Sequence, residues 1–515
     1  MEPETNIDQR PVIQASEILA KIQRGEDVEY DGVIVDGDLE LSGLKLPTEH
    51  VERTEIEKHL ELSDERRVIG SKISIANSEV RGEVDLSNAR FLEPIAFNGV
   101  KFEGKASFQE AEFGGTADFG GSEFAGDASF LGARFSGDAD LSESRFGGDA
   151  SFLGARFSGD ANFGGSRFGK FADFSTSVLG GGASFERAEF AGEADFEVAE
   201  FGGDADFSRA VLSGYANIQR AEFDGEADFS GAKFRGEAEF QGTQFGGDAK
   251  FQRAEFGGDA DFEDAQFGKS ADFSATVLGG SIRFGGAEFG GDADFLRARF
   301  DGEADFRGAL FGGDADFGRA LFKRTASFDH DQFDVSVSFK DTKFSDPASQ
   351  ELACRTAKRK MDGEGDKRES DYYFYREMEA KRMRNGIKGI EEGADAPPSL
   401  PSKIKRFLIY DVLERIFIQT IFGYGVRPFN VAKAWLIVVF ALGLVYWIGS
   451  GVEKAGYALE WYEYFYFSII NAATPGYASY TPASGLYALI AGAQAIFGTF
   501  MVAAFIATFA RKWQR

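Results

Sequence analysis

Between residues 80 and 344 an apolar residue recurs at alternating steps of six and five, as in Phe146, Phe152, Phe157, Phe163, Phe168 and Phe174. The true period is therefore 11, repeated 24 times. Of the 49 positions so marked, 42 are Phe and the other seven are Val, Leu or Ile. A small residue usually stands two before each Phe, as Ala150 before Phe152, and a Gly commonly stands four before the Phe that closes a six-step. An 11-residue period also suits a right-handed coiled coil, since 3.67 residues per turn fits an α-helix. Composition excludes that fold here: the chain has 64 Gly, many in Gly-Gly pairs inside the repeat, and each would cost a helix interior about 1 kcal/mol. Very short strands accommodate the same residues, with Gly at the corners and the Phe and its small neighbour on one side.

The unit F-x-G-x-A-x-F-x-x-A-x resembles the pentapeptide-repeat family. That resemblance implies a right-handed quadrilateral β-helix, with an inward central residue and a small inward residue two before it. Phe replaces the usual Leu, and the 5+6 alternation puts 22 rather than 20 residues in a four-sided coil. On this reading the periods make about 12 coils and a rod on the order of 60 Å long. Val35, Leu41 and Leu46 already fit the unit, so the β-helix is expected over residues 33–345, with the charged stretch 47–71 as a surface insertion containing some helix. Residues 1–32 read as an N-terminal helical cap, its helix over 15–24 and Ser16 available as the capping residue.

Charge divides the chain. Its formal net charge is -28 and its pI about 4.6. Residues 401–515 hold ten Lys or Arg against five Asp or Glu, about +5, which leaves -33 for residues 1–400. Such asymmetry points to two environments, water and a membrane surface. The outward Asp and Glu of the repeat read as a solvated face, as in a halophilic proteome. The rival reading is a DNA mimic, a role the resemblance implies for some members of the family; no nucleic-acid partner is expected. A single Cys354, with His50, His59 and His330, forms no recognisable disulfide, zinc or nucleophile-plus-base set, so no enzyme activity, cofactor or metal is expected. The polar start MEPETNIDQR predicts no signal peptide.

After the repeat, residues 346–402 read as a connector: a helical hairpin over 346–384 broken at 362–366, then a linker with Pro397, Pro398 and Pro401. Residues 403–422 interleave apolar and basic side chains and suit a helix on the membrane surface, or else a soluble helix docked on the rod. Gly423, Tyr424 and Gly425 form an elbow, closing a segment over 403–428. Within residues 429–515 the uncharged runs 434–450 (extended by 429–433) and 486–510 are long enough to cross a membrane, the alternative being a buried soluble pair. Arg406, Arg415, Arg427 and Lys433 precede the first run, and Arg511, Lys512 and Arg515 follow the second. The loop between holds only Lys454 against Glu453, Glu460 and Glu463. This bias predicts a multi-pass protein of the cell membrane with both termini cytoplasmic.

Residues 457–482 then form a re-entrant loop: an aromatic-rich short helix over 459–473 that Pro475 and Gly476 end. The stretch FSIINAATPGYASYTP resembles the pore region of two-transmembrane potassium channels, whose filter reads T-V-G-Y-G-D. Phe467, Ser468, Ile469, Ile470, Thr474, Gly476, Tyr477 and Pro482 match it; Pro475, Ala478 and Ser479 depart. The resemblance implies a homotetramer in membrane lipid and a selectivity filter of Thr474, Pro475, Gly476, Tyr477 and Ala478, whose carbonyls replace an ion's hydration shell. Pro475 lacks an anchoring N–H, and Ala478 would pay about 1–2 kcal/mol for a positive φ. A monovalent cation pore for K+ or Na+ with altered potassium selectivity is therefore expected. Glu453, Glu460 and Glu463 would concentrate cations at the outer mouth. Gly498 stands where the resembled family carries a gating hinge, unless it is a packing site, and Phe505 or Phe509 could close the inner mouth. Gln494 either faces the pore or bonds the pore helix. The alternative function is a membrane-anchored scaffold with a non-conducting pore domain, the β-helix binding a cytoplasmic ligand or protein.

Overall fold

A computed structural model describes residues 10–51, 64–328, 333–391, 419–474 and 479–514. The chain divides into two compact units, Met1–Ser349 and Gln350–Arg515.

The first unit is a parallel β-solenoid with four strands to the coil, stacked into sheets of 15, 13, 14 and 13 strands. Within one coil, Ala150–Ser151 lies on face 1, Arg156–Phe157 on face 2, Ala161–Asn162 on face 3 and Arg167–Phe168 on face 4. Each strand pairs with the one 22 residues on, as Arg145 with Arg167 and Ala150 with Ala172, so the coil has the length that the 5+6 period requires. Inward Phe and Ala are buried along the whole stack. Rings stack along each face, Phe135 on Phe157 at 4.5 Å and 3°. Between faces they meet edge to face, Phe152 on Phe163 at 5.2 Å and 86°. Both are the favoured geometries for quadrupolar rings, so Phe can line the bore on all four sides with every ring in contact with others. At the five-step corner Ser144 and Thr243 stand in for the small residue and donate to the Phe119 and Ile218 carbonyls at 2.8 and 2.7 Å.

The two kinds of corner use different chemistry. The five-step corner needs a left-handed residue two after the Phe, found at every eleventh position from Asn77 to Arg319. The six-step corner brings successive coils together, and a Cβ on Gly302 would lie 2.1 Å from the Gly280 carbonyl oxygen.

The rod begins earlier than residue 33. Val12–Gln14 pairs in parallel with Ile34–Asp36, and Val28–Asp31 with Ile73–Ala76, so the faces carry 13 to 15 strands rather than twelve. Helix α1 (Ala15–Arg24) sits between those first strands and buries Ala15, Ile18 and Ile22. It starts directly out of a strand with Gln14 as its cap, which places Ser16 inside the first turn instead of at the cap. The insertion is only half an excursion: Thr48–His50 pairs antiparallel with Glu65–Arg67, and Glu65–Ile69 runs on as a strand of face 2. Residues 52–63 of the insertion lie outside the described residues, as does His330, so the helix expected somewhere within 47–71 is not among the described elements.

The second unit is helical. Helices α2 (Pro347–Glu364) and α3 (Lys367–Glu391) form the expected hairpin, broken at Gly365 with φ 77°. Helix α3 runs on through Gly386, where the linker was expected to begin. Residues 403–418 of the surface helix lie outside the described residues. A 3-10 turn, Gly423–Gly425, with Tyr424 at φ 52°, leads into α4 (Pro428–Ile448). Helix α5 (Trp461–Ala473) and helix α6 (Gly485–Gln514) complete the unit. Helix α4 and residues Gly485–Ala510 of α6 are long and apolar enough to cross a membrane. They leave Ile437, Ile448, Leu489 and Ile496 among many apolar side chains exposed.

Candidate functional site

Helix α5 is built by its own ends. Glu460 and Glu463 form a reciprocal capping box: the Glu460 side chain accepts from the backbone of the third residue, and Glu463 Oε2 accepts from the Glu460 N–H at 3.0 Å. At the far end the Thr474 N–H donates to the Ile470 carbonyl at 2.8 Å, and Thr474 turns to extended backbone (φ -143°, ψ 101°). The loops on either side of α5 are joined to each other and to its start. Val452–Glu453 pairs antiparallel with Thr481–Pro482. Lys454 Nζ lies 3.2 Å from Glu463 Oε1, to which the Tyr480 hydroxyl also donates at 3.2 Å. Glu463 is therefore engaged as a clamp, while Glu453 remains exposed.

A buried polar cluster fastens α5 to both spans. Ser468 donates to the Val439 carbonyl of α4 at 2.7 Å. The Gln494 amide of α6 donates to the Ser468 carbonyl at 3.0 Å and to its hydroxyl at 2.6 Å. Its oxygen accepts from the Tyr446 hydroxyl of α4 at 2.9 Å and from Asn471 at 3.3 Å, while Asn471 also donates to the Ala491 carbonyl at 2.8 Å. Gln494 thus bonds α5, the second of the two arrangements the sequence left open for it. One turn further on, a Cβ on Gly498 would lie 2.1 Å from the Ala472 carbonyl oxygen, so bare backbone at this position lets α5 rest against α6. Phe505 and Phe509 follow on one side of α6, their rings 5.7 Å apart.

Of the expected filter, Thr474 is described and exposed at the end of α5. Pro475, Gly476, Tyr477 and Ala478 lie outside the described residues. Sequence reasoning did not single out Tyr446, Ser468 and Asn471 as partners of Gln494. The available signal was the presence of uncharged polar residues in otherwise apolar helices, which are retained in a membrane when they bond across helices.

At the elbow the Arg427 guanidinium lies 3.9 Å over the Tyr375 ring of α3, and Tyr375 meets Tyr424 edge to face at 5.6 Å. Burial pushes the Cys354 thiol up to about 12, which removes it as a nucleophile. Among the described residues no cluster of His, Cys, Asp or Glu could hold a metal ion.

Comparison with known families matches pentapeptide repeats in nine copies, with matched segments running from 75–122 to 262–310, and a family described as ion channel over residues 434–515. No curated protein and no solved structure matches the chain significantly.

Proposed function

Because the chain joins pentapeptide repeats to a C-terminal ion-channel domain, we propose that it is one of four identical subunits of a membrane channel for monovalent cations, K+ or Na+. The observation that carries this reading is α5 itself: a short helix packed between two membrane-length helices, its last turn ending at Thr474 where the TPGYA stretch starts. A helix of 13 residues cannot cross a bilayer, and its C-terminal end carries partial negative charge that favours a cation. A single subunit with two spans encloses no conduit, so the pore forms between subunits, with the carbonyls of Thr474, Pro475, Gly476 and Tyr477 lining it. Ala478 and Pro475 distinguish this filter from a potassium-selective one and give it altered selectivity. Glu453 contributes charge at the outer mouth, and Phe505 or Phe509 the inner constriction. The basic residues flanking the spans support a topology with both termini in the cytoplasm.

The test is ion flux into liposomes carrying the purified full-length chain. A cation-dependent flux that persists when chloride is replaced by gluconate is the expected result. No flux in protein of correct assembly would favour the rival reading, a membrane-anchored scaffold whose rod binds a partner.

A further inference from the structure

Between the first turn of α3 and the elbow lies a cavity of about 420 Å³, within the size range of small-ligand sites. Its walls are Lys367, Arg368, Asp371 and Tyr372 from α3, and Val426 and Arg427 from the elbow. Three cations against one carboxylate give it a charge of +2, in a chain with 84 acidic and 56 basic residues.

That charge is not answered among the described residues. Elsewhere on the hairpin basic side chains are paired: Arg355 Nε lies 3.1 Å from Glu377, Lys358 3.4 Å from the same carboxylate, and Arg384 3.0 Å from Glu351. Among the described residues Lys367, Arg368 and Arg427 make no ion pair. Asp366, just before α3, does not line the cavity, and its Oδ1 accepts from the backbone N–H groups of Arg368 and Glu369 at 3.0 Å each. Arg427 is held in place without a carboxylate. Its guanidinium stacks 3.9 Å over the Tyr375 ring, a contact that uses the face of the group and leaves the N–H donors in its plane to an anion. Gly423 makes room for it, since a Cβ there would lie 2.6 Å from Arg427 Cβ.

We propose that this cavity binds a phosphate monoester, its phosphate held by Arg427, Arg368 and Lys367 and its carbon part against Tyr372 and Val426. Guanidinium forks match phosphate oxygens two at a time. Charge selects the monoester: near neutral pH it carries about −1.5 to −2, which answers the cavity's surplus, whereas a diester carries a single negative charge. Arg427 directly precedes Pro428, the first residue of a membrane-length helix, so this wall of the cavity stands at the end of the span, where lipid headgroups begin. The monoester belongs either to a lipid headgroup, as in phosphatidic acid, or to a soluble phosphate. Bound there, it ties α3 to the elbow that leads into α4.

The test is the melting temperature of the purified full-length chain in detergent, titrated with glycerol phosphate, with dioctanoyl phosphatidic acid, and with dioctanoyl phosphatidylglycerol, a diester with the same chains. Phosphatidic acid should raise it at lower concentrations than phosphatidylglycerol. Lys367→Gln with Arg368→Gln, both on exposed residues, should raise the half-saturating concentration about tenfold, as the loss of a charge-assisted hydrogen bond implies. Arg427→Gln should do the same, with Arg427→Lys in between. The control pair Arg359→Gln with Lys381→Gln, also exposed on the hairpin but outside the cavity, should leave the response unchanged. A rise with phosphatidic acid but not with glycerol phosphate assigns the site to a lipid headgroup; a rise with glycerol phosphate opens it to soluble monoesters. Equal responses to the two lipids, no rise with either monoester, an undiminished response in the Lys367 and Arg368 variant, or an equal loss in the control pair overturns the site.

Discussion

Asp259 and Ser281 stand one above the other in successive coils, and the Ser281 N–H donates to Asp259 Oδ1 at 2.7 Å. The same bond recurs from the Gly182 N–H to Asp160 Oδ1 at 2.8 Å and from the Asp314 N–H to Asp292 Oδ1 at 2.9 Å. A second set of Asp, such as Asp140 accepting from Ser142 at 2.9 Å, opens the five-step corners. Much of the acidity that reads in the sequence as a solvated face is thus spent on backbone donors, which explains why Asp is favoured over Glu at those positions. Asp259→Ala should cost about 1–2 kcal/mol in urea unfolding, and Asp259→Asn much less because it keeps an acceptor; equal losses would return Asp259 to the solvated face. Repulsion works against these bonds where Asp side chains stack. Burial first, and then Asp272 and Asp316, hold the Asp294 carboxyl above its usual range. A raised carboxyl pKa means that its ionised form opposes folding, so this contribution to stability rises as pH falls through the folded-state pKa. Asp294→Asn should therefore raise the melting temperature at neutral pH and lose that advantage in acid. An advantage that instead grew on acidification would contradict the assignment.

At the scale of elements, α5 is held by hydrogen bonds to α4 and α6 and by the absence of a side chain at Gly498. Each interhelical bond in a membrane contributes about 1 kcal/mol or less, so Gln494→Leu, which removes several, should lower the melting temperature of detergent-solubilised protein more than Tyr446→Phe does. Gly498→Ala should lower it too and reduce flux, since the new Cβ displaces the last turn of α5 from its seat on α6. A hinge with no packing role would change flux alone and leave melting where it was. The existence and type of these helices were legible because apolar runs of membrane length and an aromatic segment ended by Pro475 and Gly476 have few other solutions. Their fastening was not, because the match of Gln494 with Ser468 and Tyr446 depends on how three helices rotate about their axes, and hydropathy does not encode rotation.

For the whole molecule, the repeat made the rod legible down to its 22-residue coil, since one period fixes every strand of a solenoid. Its start at Val12 was obscured because α1 interrupts the first coil before the Phe pattern is established. The second unit supplies the function proposed for the whole, a cation pore formed between subunits, and its signature is electrical. The most direct measurement is the reversal potential of the purified full-length chain in a planar bilayer with a KCl gradient, then with NaCl on one side. The account predicts currents that reverse near the cation equilibrium potential and shift only modestly when Na+ replaces K+. Currents that reverse at the chloride potential, or a silent bilayer containing correctly assembled protein, would contradict it.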